Sequence, residues 1–390
     1  MASLPKPIPF VGVPRQRSTG TTDERFVNVI FERVANDVLR EHSINCVKRP
    51  GLVNDSQPPG STATGRGTFA WLATGKKYSV FGNRIYSDST AIGSTLAGSS
   101  GMCRFVETPA SSGQQVLIVS DGTDNYNINT SDTVFQIDES DSSFYPTPNL
   151  ASIDYIDGYL LQGKSNGQLW NSNLNSWTAW GSSSYLSIDT HGGALIAHHV
   201  QKDQVICFTS NRTEFLFNNG NPIGSPFLRI DQNTIAIGCA GAQSLAFSGE
   251  YLCFVGSNPS DGAGGRAVWM ISSLGKVNDI STPVINRFLD AEGTNISTCT
   301  SWMESVSGQL VYCLNLTSAN RSFVYYVNLG LWAEWTDSSG NKFNCVSATS
   351  MNGVVYLQDA TNGRIYSLSP TTYRDSGSDF TVTIQTTRNN

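Results

Sequence analysis

The amino-acid sequence predicts an all-β fold, a β-propeller of about six or seven blades with an extended N-terminal arm. Three observations carry this. A strand-like apolar run, a Gly, Asn or Asp turn and a second run bearing an aromatic recur seven times, as in VFGNRIYS (80 to 87), YLLQGKSNGQLW (159 to 170) and VICFTSNRTEFLF (205 to 217). With Ile85, Tyr126, Leu169, Phe215, Trp269, Tyr325 and Ile365 as equivalent points, the repeats step by about 40 to 56 residues, within the range of solenoids, arrays and propellers. A further short run stands before most hairpins, such as SIDYIDG (152 to 158) or SLAFSGE (244 to 250), so a unit offers three strands and its Ser/Thr-rich connector a fourth. An array of β-sandwiches would give similar strand spacing and is the architectural alternative.

Taken in order, residues 1 to 22 hold Pro at 5, 7, 9 and 14 and read as an extended arm. Residues 23 to 52 carry conflicting signals. Phe26, Val29, Ile30, Val34 and Val38 fit a helical stripe, yet Phe-Val-x-Val-Ile-Phe is also a good β run; strands are expected at 26 to 32 and 44 to 48, with a helix-like insertion at 34 to 43. Residues 53 to 67 are a Pro/Gly-rich loop. The expected division is therefore an arm and lead-in strand at 1–67, the propeller at 68–370, and a C-terminal strand at 371–390 that begins a further β region.

Within the repeats, Gly158, Gly167, Gly249, Gly353 and Gly363 each follow Asp, Asn or Ser, the residues that supply positive φ at hairpin tips. Trp170, Trp177, Trp180, Trp269, Trp302, Trp332 and Trp335 suit packing between blade faces, where large rings fill a wedge. Cys207, Cys253 and Cys313 sit inside apolar runs and are expected to be buried free thiols.

Composition limits the function. Charged residues make up 14% of the chain and the net charge of −6 is spread out, without the basic face that grips phosphate backbones. The N-terminal stretch has no uninterrupted apolar segment of membrane-span or signal length, so the chain is expected to work without export through the secretory route and without a membrane span. No nucleophile elbow, P-loop, zincin helix, dinucleotide fingerprint or calcium loop is present. His198-His199 is a lone doublet, and Glu214, Glu304 and Glu334 are single carboxylates in ordinary strands. The expectation is a non-enzyme with no catalytic residue, no cofactor and no metal site. A glycan-binding propeller would need exposed aromatics at equivalent blade positions, and a polysaccharide hydrolase a carboxylate pair in one pocket.

One stretch is similar to a known family. Phe26-Val27-Asn28-Val29-Ile30-Phe31-Glu32 followed by Arg49-Pro50-Gly51-Leu52 resembles the opening of the packaged-DNA stabilisation proteins of P22-type short-tailed phages, the tail hub or nozzle proteins. The order of YIDGYLL (155 to 161), VICFTSNRTEFLFNNG (205 to 220), GCAGAQSLAFSGEYLCFVG (238 to 256), RAVWMI (266 to 271) and NRFLD (286 to 290) is similar too. The resemblance implies a virion structural protein of the tail, assembled in the host cytoplasm. It implies a homo-oligomer, a hexameric ring below the portal and its adaptor, meeting other tail proteins such as fibres, spikes or a needle. DNA would pass the ring's channel without sequence-specific binding. Interaction residues are expected in the N-terminal region around Arg15, Arg17, Phe26 and Phe31, although a strand closing a blade would use the two aromatics as core.

Overall fold

The computed structural model describes residues 25–33, 44–109, 115–188, 192–257 and 265–385. Seven sheets of four or more strands are arranged in sequence order: blade 1 (65–92), blade 2 (104–137), blade 3 (153–187), blade 4 (195–229), blade 5 (238–279), blade 6 (300–335) and blade 7 (345–369). Each is an antiparallel meander, and the first strands of successive blades pack side by side around a central channel. All seven equivalent points of the repeat fall on the third strand of their blade, from Ile85 on Arg84–Ser87 to Ile365 on Ile365–Ser369.

Blade 7 has only three strands of its own. Gly51–Ser56, from the other end of the chain, supplies the outermost strand, with Leu52 opposite Leu368 and Gly51 opposite Ser369. The expected propeller boundary at residue 68 falls inside the first strand of blade 1, Gly65–Trp71. The lead-in chain is also built into the disc. Arg25–Val27 adds in parallel to Leu331–Trp335 of blade 6, and Thr383–Gln385 pairs outside it, giving a six-stranded sheet. Val29–Arg33 and Ile44–Lys48 form a separate hairpin, as the β reading of that stretch expected; the helix-like 34 to 43 lies outside the described residues.

The motif residues of this lead-in have specific tasks. Asn28, fully buried at φ 57°, breaks the strand, a left-handed conformation that Asn tolerates and branched residues do not. Its Oδ1 accepts from Arg49 Nε and the Thr336 amide, and its Nδ2 donates to the Thr336 hydroxyl and the Thr381 carbonyl. Arg49 is buried, forks onto both carboxylate oxygens of Asp375, and stacks 3.9 Å from the centre of the Phe380 ring. At Gly51 a Cβ would lie 2.2 Å from the Arg374 carbonyl oxygen, so no larger residue fits without moving that backbone. The Arg-Pro-Gly-Leu turn thus clamps the beginning of the chain to blade 6, blade 7 and the C-terminal segment.

Core packing lies between blades. Six apolar clusters fill six of the seven wedges, for example Trp71, Tyr78 and Ile85 against Leu117, Tyr126 and Ile128 between blades 1 and 2. Phe26 and Phe31 belong to the wedge between blades 6 and 7, edge to face with each other, Phe31 also against Tyr326. The seventh wedge, between blades 7 and 1, is bridged by hydrogen bonds. Gln358 accepts from the Gly67 amide at 2.7 Å and donates to the Val80 carbonyl at 2.9 Å, while Ser347 and Thr349 take the amides of Thr68 and Ala70. All eight cysteines are free, seven of them buried.

Blades 5 and 6 are joined by a helix the repeat reading did not include, Pro283–Ala291. Thr282 caps it, Pro283 takes the first turn, and Ile285 and Leu289, four apart, face the core.

Candidate functional site: the central channel

Four inner strands and the turns before them enclose a cavity of about 190 Å³ in the channel, at the end where the first strand of each blade begins. Arg104 and Phe105 come from blade 2, Asp154 from blade 3, His198 and His199 from blade 4, and Leu245 and Phe247 from blade 5. Blades 2 and 5 are not neighbours. The 2.5 Å hydrogen bond from Arg104 Nη2 to the Leu245 carbonyl therefore crosses the channel. A second bridge runs beside it: Asp154 Oδ1 meets His199 Nδ1 at 3.2 Å, and the His199 ring stacks on Phe247 with centroids 3.6 Å apart.

These side chains converge because the inner strands of a propeller stand around one axis, so residues far apart in sequence share one depth. Their electrostatics differ. Burial lowers the Arg104 pKa from its ordinary value, with the Asp154 charge acting the other way. Arg104 keeps partial exposure, which at this depth it has toward the channel. The His198 ring is fully buried, and burial lowers its pKa below the ordinary 6.5, opposed by Asp154 and reinforced by His199. Its Nε2 stands 3.5 Å from Asp154 Oδ2, and the backbone of Leu161 also acts on the ring, raising its pKa against the effect of burial.

Both carboxylates that line the cavity already have partners. Asp121 also lines the cavity, but its carboxylate accepts the amides of Thr123, Asp124 and Gly98 and serves as a turn cap. Asp154 is taken up by His199. Burial pushes the thiols of Cys103 and Cys239 up to about 12, far from a reactive thiolate. Among the described residues no group of three or more His, Cys, Asp or Glu could hold a metal ion.

Other residues singled out in the sequence are accounted for elsewhere. Glu214 receives Arg229 Nε at 2.5 Å, and Glu334 receives both Arg25 and Arg321. Burial raises Glu304 above the ordinary carboxyl value. Phe26 and Phe31 are core side chains, and Arg15 and Arg17 lie outside the described residues. Trp170, Trp180, Trp302, Trp332 and Trp335 are buried in the wedges. Sequence reasoning left the channel cluster as a bare His-His doublet, since nothing local joins positions 104, 154, 198 and 245. The one available signal was the run of small polar residues before each inner strand.

Fold and site together define a class: a closed propeller whose blades carry structure and whose axis is bridged by side chains. The family model described as "Bacteriophage P22 Gp10, beta-propeller" matches residues 27–373, and the chain belongs to this family of phage stabilisation proteins. No curated protein matches the sequence. Among solved structures, the extracellular domain of BT4673 from B. thetaiotaomicron is similar in two determinations, with TM-scores of 0.52 and 0.51 at 12% and 14% identity, each covering 83% of this chain and 40% of that one. A streptogramin B lyase aligns with a TM-score of 0.49 at 12% identity over 82% of this chain and 96% of that one. At such identities the likeness is one of fold. The family makes this a phage structural protein, as the resemblance at Asn28 and Arg49 to Leu52 implied.

Proposed function

We propose that the chain is a tail hub subunit, several copies of which form a ring below the portal and adaptor, help retain packaged DNA and surround its exit path. The family match over residues 27–373 carries this reading. The bridged axis refines it. A channel crossed by the Arg104–Leu245 hydrogen bond cannot admit a duplex whose major groove alone is about 12 Å wide. The bridged axis supports a DNA path between the propellers of a ring rather than through one of them, an opening that hexameric symmetry would supply. The net charge of −6 suits a wall that DNA must slide past, since cationic contacts would hold it in a salt-dependent grip.

The test is negative-stain microscopy of the purified protein mixed with its portal and adaptor. A sixfold ring capping that assembly, absent when the adaptor is omitted, is the expected result. A monomer that ignores the assembly would overturn the proposal.

A further inference from the structure

We propose that the channel cavity bounded by Arg104, Phe105 and Phe247 is a binding site for a small free carboxylate. The inference is independent of the tail-hub reading. It starts from the partners of the charged groups that line the cavity. Asp154 has His199 against it at 3.2 Å and His198 at 3.5 Å, and Asp121 is surrounded by three backbone amides. Arg104 has no such partner: its one hydrogen bond goes to a neutral carbonyl, and among the described residues no carboxylate lies within ion-pair distance of it. A guanidinium in a desolvated position with part of its surface still open is a ready receptor for a planar anion, because its fork matches two carboxylate oxygens.

The walls define the rest of the ligand. Phe105 and Phe247 present aromatic surface, and Phe247 is 41% exposed although it lies inside the ring of blades, an unusual place for an uncovered phenyl group. Met102 and Leu245 add apolar surface. At about 190 Å³ the cavity is smaller than the roughly 300–1,000 Å³ of drug-sized sites, so it suits a molecule of few non-hydrogen atoms and excludes a folded chain segment. The class that fits is a monocarboxylate with a short apolar or aromatic body.

Isothermal titration of the full chain with sodium benzoate tests this, with benzamidine as the same body carrying the opposite charge. Saturable one-to-one binding of benzoate is expected, in the millimolar range or tighter as a ligand of this size allows. Benzamidine should give none. Arg104→Met is expected to weaken benzoate by about tenfold or more, in line with loss of a charge-assisted pair. Because Arg104 also holds Leu245, a second variant guards against misfolding: Phe247→Asp leaves that hydrogen bond in place, puts a negative charge at the cavity and should abolish benzoate binding, a cooperative thermal transition showing that the chain is folded. Absence of saturable benzoate binding, equal binding by a folded Arg104→Met or Phe247→Asp protein, or tighter binding of benzamidine would each overturn the assignment.

Discussion

Arg49 shows how much one side chain can hold together. Its guanidinium reaches Asn28, Pro50, Thr336 and Asp375 and lies among the rings of Phe380, Phe343 and Trp335. Breaking one partner of a buried pair leaves the other charge uncompensated, so Arg49→Met should cost about 3–5 kcal/mol, read as a lower urea midpoint at unchanged slope. Arg49→Lys should recover less than half of that, since an ammonium cannot fork onto Asp375 or stack in the same way. His198 gives a second expectation. Its folded pKa is lowered from 6.5, so as pH falls below that value the unfolded chain takes up a proton that the folded chain resists, and stability is lost on acidification. The melting temperature should therefore drop between pH 7 and pH 5, and the drop should be smaller in His198→Gln, which cannot take up that proton.

At the scale of the element, the strand Gly51–Ser56 decides whether the disc is closed. Cysteines at Leu52 and Leu368, directly opposite in register, fall within the about 4.5–5.5 Å Cα spacing of antiparallel partners that a disulfide spans. In a Cys46→Ser background, oxidation of that pair should stabilise the protein by about 2–4 kcal/mol, and reduction should remove the gain. Gln358→Leu at the polar wedge should cost about 1–3 kcal/mol, because the buried Gly67 amide loses its acceptor.

The sequence was most legible in these repeating elements. The third strand of each blade could be located because a turn with its own signature, such as Asn166-Gly167, whose glycine has φ of 88°, stands just before an apolar run. The destinations of Arg25–Val27 and Gly51–Ser56 could not be read, since pairing with Glu334 or Leu368 is a contact over some 300 residues that no local pattern encodes. The helix Pro283–Ala291 did carry a signal, Thr-Pro followed by Ile285 and Leu289, but it is one short interruption of a β period. The channel site was unreadable for the same reason as the closure: its members share an axis, and only the finished ring brings them to it.

At the scale of the whole molecule, the disc has two unlike faces. Leu72 follows the first strand of blade 1, while Leu174, Ile223 and Leu274 follow the third strands of blades 3, 4 and 5. In an antiparallel meander these turns lie on the same side, opposite the cavity end. Among the described residues they are the four most exposed large apolar side chains, from 58% to 88%. If this face meets the neighbouring tail component, Ile223→Asp with Leu274→Asp should lower the yield of ring on the portal and adaptor severalfold, counted in micrographs, with the melting temperature of the free protein within a degree or two of the parent.

The shared blade also sets a timetable for synthesis. Gly51–Ser56 leaves the ribosome early and its partner Ile365–Ser369 only after about 310 further residues, which at about 5–20 residues per second is a delay of roughly 15–60 s. Through that interval six blades can stack upon one another while the circle stays open. The gap is lined on the blade 1 side by amides awaiting Gln358, Ser347 and Thr349 rather than by a large apolar surface. On the blade 6 side the apolar wedge of Trp302, Val306 and Leu331 waits uncovered for the same last blade, so the nascent disc is sticky at one lip and polar at the other until blade 7 emerges.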